Sequence, residues 1–240
     1  MCTVSWVQQP AGYHLLSNRD EKRTRGVAFA PRVGRRAGVR YLAPMDADYG
    51  GTWLAVNEWG LSICLLNGTA AAPESRAAQS RGLLIPELIW ARSVDDAGFL
   101  LRQCDLSSFA PFTVVLLEPS APATVARWNG ERLSLDPTAD HRMPLISSSY
   151  DTEGVRAARA ARFAEMVEAA GTVDPALLYR FHSSHGPVPD AYSPCMHRDD
   201  AQTVSFSWVV VTATEIRFLY LPAAPCESSI GEQAILERAA

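Results

Sequence analysis

The sequence predicts an α+β fold, and three observations lead there. Short apolar runs recur in pairs joined by turn residues, as Pro10-Ala11-Gly12, Asn57-Glu58-Trp59-Gly60 and Asn129-Gly130 each separate two strand-like stretches. Helical stretches come in blocks between these pairs instead of alternating with single strands, which favours antiparallel sheets over a parallel α/β sheet. The 240 residues, 48% of them hydrophobic, suffice for one domain of packed layers.

In order, Cys2–Val7 and Tyr13–Leu16 read as a first hairpin, with the polar tetrad Asn18-Arg19-Asp20-Glu21 at its end, beside Cys2. Residues 22–51 are rich in Arg, Gly and Pro and read as a long surface loop closed by Gly50-Gly51. Thr52–Val56 and Leu61–Leu66 form a second hairpin. Ser80 N-caps an apolar helix reaching Ala91 despite Pro86, and Asp95-Asp96 caps a second helix carrying Phe99, Leu100 and Leu101. Phe112–Leu117, Thr124–Trp128 and Arg132–Leu135 are strands, and Asn129-Gly130 signals a type I′ turn between the last two. A helix follows from about Gly154 to Ala170, with Arg156, Arg159 and Arg162 read as a solvated stripe partnered by Glu165 and Glu168. Thr203–Val211 and Glu215–Tyr220 are the final pair of strands.

Composition narrows the function classes. A formal charge of −4 gives no bulk attraction for nucleic acid or anionic lipid, and no run of eighteen apolar residues predicts a membrane span. The five cysteines are odd in number and lack CxxC spacing, and no signal-like segment opens the chain, which together suit free thiols in a reducing, cytoplasmic setting. His182, His185, Cys195 and His197 invite a zinc reading, but their spacing fits no helix or knuckle, so a simple loop is favoured and no metal is assigned.

Cys2 carries the sharpest chemistry. Inside an apolar strand a cysteine also serves as a small buried hydrophobe. At position 2, however, removal of the initiator Met1 would leave one residue holding a thiol of pKa about 8.5 and an α-amine of about 7.7–8.0, a nucleophile and its own base.

Met1-Cys2, Asn18-Arg19-Asp20-Glu21, Gly50-Gly51-Thr52-Trp53-Leu54, Gly60-Leu61, Ser80-Arg81-Gly82-Leu83 and Cys195-Met196-His197-Arg198 through Thr203-Val204-Ser205 occur in this order. In them the chain resembles the NRDE-motif family, also called the transport and Golgi organisation protein 2 family. The resemblance implies one domain over residues 1–240 with an N-terminal-nucleophile (Ntn) hydrolase-like fold, a four-layer αββα sandwich. It further implies a cysteine amidohydrolase or acyltransferase acting on a small acylated substrate. Cys2 would be the nucleophile, Asp20 would orient its amine, and Arg19 and Arg198 would favour the thiolate.

Asn67 is followed by Gly68 and reads alone as a turn. By similarity to cysteine acylases such as bile salt hydrolases it would donate to an oxyanion. Asn18, Trp53, Ser147 and His197 are expected at the substrate, Ser147 standing where the family typically has Asn. No cofactor is required. The alternative that the resemblance implies is a carrier of haem, lipid or acyl-CoA, for which Cys2, His14 or His197 could serve as an axial haem ligand.

Overall fold

The computed structural model describes residues 2–68, 79–139, 143–187 and 190–239; Met1 and its processing lie outside them. Two antiparallel sheets stack face to face. The first is built from β1 (Cys2–Gln9), β2 (Gly12–Lys22), β10 (Leu145–Ser147), β11 (Ala201–Val211), β12 (Glu215–Leu221) and β13 (Glu232–Glu237), in the order β10-β1-β2-β11-β12-β13. The second is a meander in chain order: β3 (Phe29–Arg36), β4 (Val39–Met45), β5 (Leu54–Asn57), β6 (Ser62–Asn67), β7 (Phe112–Leu117), β8 (Thr124–Trp128) and β9 (Leu133–Asp136).

Strand alternation divides each sheet's residues between two cores. Val4, Trp6, Tyr13 and Leu15 point between the sheets and meet Leu54, Val56, Leu66 and Val115 of the second. Leu16 and Phe206 point the other way, into a cluster with Phe163, Leu177 and Phe181. Those three belong to α3 (Thr152–Ala170) and α4 (Pro175–His182). On the far side Ile63, Leu65, Val114 and Leu116 meet Ile85, Leu88, Ala97 and Leu101 of α1 (Ile85–Leu88) and α2 (Val94–Gln103). The layers therefore run helix, sheet, sheet, helix, as expected. Each fully buried large apolar side chain contributes about 1.5–3 kcal/mol to holding them together.

Several local expectations change. Residues 22–51 are not one loop: β3 and β4 form a hairpin turned by Ala37 (φ 49°) and Gly38 (φ 86°), the paired positive φ of a type I′ turn. Its arginines hid it, because β3 is an edge strand whose outer residues are charged. Asn129-Gly130 makes a wider turn, in which only Gly130 has positive φ and the Asn129 side chain accepts from the Glu131 and Arg132 backbone N–H groups. The stretch after Ser80 breaks into a 3-10 turn over Arg81–Leu83 and the single-turn α1, where Pro86 sits in the first turn because it lacks an N–H to donate. Ser93, not Asp95 or Asp96, caps α2. Among the described residues no helix is long and apolar enough to cross a membrane.

Candidate active site

Chain order places Cys2 inside a sheet. β1 and β2 form the N-terminal hairpin, the meander is built next, and the chain then returns so that β10 pairs with the free side of β1. Cys2 thus lies between Arg19 on one neighbouring strand and Ser147 on the other, in register with both. Its backbone nitrogen donates to Ser147 Oγ at 3.1 Å. At 8% exposure the residue is buried but not sealed. Burial pushes its thiol above the ordinary value, Asp20 and Glu21 push the same way, and Arg19 opposes them.

The tetrad is split by the pleat. Arg19 shares the inter-sheet face with Cys2, where its guanidinium lies over the Trp53 ring at 4.4 Å and Nη2 meets Asp46 Oδ2 at 2.5 Å. Asp46 comes from the stretch read as loop. Burial pulls its carboxyl up, but hydrogen bonds from Arg25 and the Tyr49 N–H, with the charges of Arg19 and Arg25, hold it below the usual range.

Asp20 faces the helices instead. It accepts from Thr203 Oγ1 at 2.7 Å and from Arg159 Nη1 at 3.1 Å, and both members of the ion pair are fully buried. Arg159 also donates to Thr3 Oγ1 and to the Ala191 carbonyl. The solvated stripe expected on α3 is therefore correct for Arg162, paired to Glu165 at 2.9 Å, and not for Arg159. Helical spacing put the three arginines on one side, but charge alone could not reveal that a carboxylate on a buried strand draws one of them inward.

The other expected residues divide. Asn67 ends β6 and lines a cleft of about 500 Å³ together with Ser147, so these two are brought together next to the Cys2 strand. Arg127 and Arg156 line the same cleft and were not singled out from the sequence. Trp53 is buried in the inter-sheet core against Arg19 and Tyr220, and its indole N–H finds no hydrogen-bond partner among the described residues.

Asn18, expected at the substrate, lies on the helix-facing side because it alternates with Arg19; its amide donates to the carbonyls of His182 (2.9 Å) and Pro194 (2.8 Å). Arg198 is held by Asp200 at 2.9 Å and lies over the Tyr150 ring at 4.4 Å, three residues beyond Ser147. The His197 ring turns to Cys195, Cys226 and Glu227. His14 accepts from Trp208 Nε1 at 3.0 Å and lies opposite Val7 in the hairpin, several residues along the strands from Cys2.

The profile of the Transport and Golgi organisation 2 family matches residues 1–168. The chain belongs to this family. No curated protein matches its sequence.

Among solved structures, it is similar to an N-acylethanolamine-hydrolyzing acid amidase ortholog from Caenorhabditis elegans, with a TM-score of 0.61 at 14% identity over 88% of this chain and 92% of that one. Penicillin V acylase from Agrobacterium tumefaciens follows at 0.55 and 8%, covering 99% and 86%. The C2A mutant of conjugated bile acid hydrolase from Clostridium perfringens gives 0.55 and 13%, covering 100% and 97%. At such identities the likeness concerns the fold, and that fold is Ntn-hydrolase-like.

Proposed function

We propose that this family member is a cysteine amidohydrolase or acyltransferase of the N-terminal-nucleophile type, acting on a small acylated substrate. The observation that carries the reading is Cys2 on an interior strand, its nitrogen held by Ser147 and Arg19 facing it from the next strand. The names of its structural neighbours, an amidase, an acylase and a hydrolase, support the same class.

Removal of Met1 makes the Cys2 nitrogen an α-amine. That amine takes the thiol proton as Sγ attacks the acyl carbon, and the resulting oxyanion is stabilised by the Asn67 amide, a donor of a kind worth about 2.7–4 kcal/mol. The ammonium then protonates the departing amine, leaving a thioester on Cys2. Water, or an acceptor amine in the transferase variant, attacks that thioester, gives its proton to the α-amine and regenerates the thiol.

Ser147 fixes the amine, and Asp20 supplies the negative charge that orients it from the other face of the sheet. Arg19 opposes in part the burial that disfavours the thiolate, and Trp53 walls the site. Arg127 and Arg156 in the cleft suit a substrate with an anionic end.

Intact-mass analysis of the purified chain is expected to show loss of Met1; retention overturns the mechanism. A thiol-directed acyl probe is expected to label Cys2 ahead of Cys64, Cys104, Cys195 and Cys226, with the preference lost in Asp20→Ala. Indiscriminate labelling of the wild type would remove the catalytic assignment.

A further inference from the structure

Away from Cys2, side chains from three separate segments converge. His185 comes from the stretch after α4, Cys195 and His197 from the stretch before β11, and Cys226 from the connection between β12 and β13. The ligand atoms of His185, His197 and Cys226 all lie within 4.8 Å of one another. Cys226 Sγ is 3.1 Å from His197 Nε2 and 3.3 Å from Cys195 Sγ, and Cys195 Sγ is 3.7 Å from His197 Nε2. A disulfide needs about 2.05 Å between sulfurs, so Cys195 and Cys226 are two free thiols. Zinc bonds of about 2.3 Å to sulfur and 2.0–2.1 Å to nitrogen give a tetrahedron with edges of about 3.3–3.8 Å. Cys195, His197 and Cys226 already span nearly one face of that tetrahedron, and His185, whose ligand atom lies within 4.8 Å of those of His197 and Cys226, must move closer to supply the fourth vertex.

The outer contacts point the same way. In metal sites the second ring nitrogen of a ligating histidine is ordinarily tied to a carbonyl or carboxylate, which fixes the ring and its tautomer. Here His185 Nδ1 lies 2.9 Å from the Gly186 carbonyl, and His197 Nδ1 lies 3.6 Å from Glu227 Oε1. Both rings are thereby left with Nε2 for an ion.

We propose that His185, Cys195, His197 and Cys226 bind one zinc-class divalent cation in a Cys2His2 set. Binding displaces the two thiol protons to solvent, and the two thiolates neutralise the ion's charge. All four positions are filled by protein, so the ion is structural. Its effect is to clamp the segment after α4 and the β12–β13 connection onto the stretch that leads through Arg198 into β11. The cluster escapes a linear reading for two reasons. His182, the apparent partner of His185, is drawn into the core, where Nε2 meets Ser5 Oγ at 2.9 Å, and the last ligand arrives 29 residues after His197.

The full chain, stripped with a chelator under reducing conditions, is titrated with Zn2+ and with Co2+. One equivalent is expected to bind, Co2+ with a thiolate charge-transfer band and tetrahedral d–d absorption. Bound zinc is expected to slow iodoacetamide alkylation of Cys226 at least tenfold, leaving Cys104 unchanged. Cys226→Ser and His185→Gln, both at exposed positions, are expected to abolish the cobalt spectrum, and Glu227→Gln to weaken affinity about 10–100-fold. Absence of saturable binding overturns the proposal, as does unchanged Cys226 alkylation in the wild type, a readout that needs no variant to fold. Binding that survives both Cys226→Ser and His185→Gln overturns it as well.

Discussion

Two buried charged or titratable groups set the residue-scale behaviour of the helix-facing side. Arg159 is the charged partner of a carboxylate with no exposure, and removing one member of a buried pair costs about 3–5 kcal/mol because the other stays uncompensated. Arg159→Met is expected to lose about that much in urea denaturation, whereas Arg162→Met, at the surface, is expected to change stability by less than about 0.5 kcal/mol. His182 supplies a pH dependence. Burial, with the Arg159 charge beside it, lowers its pKa to about 3 in the folded protein, below the ordinary 6.5. As pH falls the unfolded chain takes up this proton first. Stability should therefore decline from about pH 6.5 and level off near pH 3, by up to about 1.4 kcal/mol per unit. Melting curves across this range are expected to be flatter for His182→Gln than for the wild type. At this scale Cys2 and the tetrad could be read from the sequence because their residue types and spacing are unusual. Arg159 and Asp46 could not, because what distinguishes them is a partner far along the chain.

At the scale of elements, two motifs separated in sequence by β6 prove to be one contact. The Thr52 N–H donates to the Gly82 carbonyl at 3.1 Å, and a Cβ on Gly51 would stand 2.6 Å from the Gly82 carbonyl carbon. Gly51→Ala is expected to destabilise by about 1–3 kcal/mol, the usual range for overpacking, since backbone cannot move aside as a side chain can. Gly50 offers the contrast. Its φ is +69° with open space around it, so the cost there is backbone strain alone, and Gly50→Asn, which tolerates that conformation better than other side chains, is expected to cost less than Gly50→Ala in the same assay. Paired strands with apolar alternation were legible in the sequence. Elements whose outer faces are charged, such as β3, or that depend on docking, such as β10 and α4, were not.

For the whole molecule, layer order decides where stability resides. β1, β2 and β11 are flanked on both sides within their sheet and covered on both faces, as are β6 and β7, whereas β3, β9, β10 and β13 are edges. Hydrogen exchange is expected to be slowest in the first group and fastest at the edges; fast exchange in β1 would contradict the site as described. Motif order pointed to the layers because the resemblance spans most of the chain, while the pleat that separates Asn18 and Asp20 from Arg19 required knowing the register.

That separation also governs how mutations combine. Arg19 and Asp20 are neighbours in sequence but engage different partners on opposite faces, so energetic losses from Arg19→Ala and Asp20→Ala should nearly add. Asp20 and Arg159 lie 139 positions apart yet share one ion pair, so the second of those changes should cost far less than it does alone. Heredity would then register the adjacent residues as strangers and the distant ones as a couple.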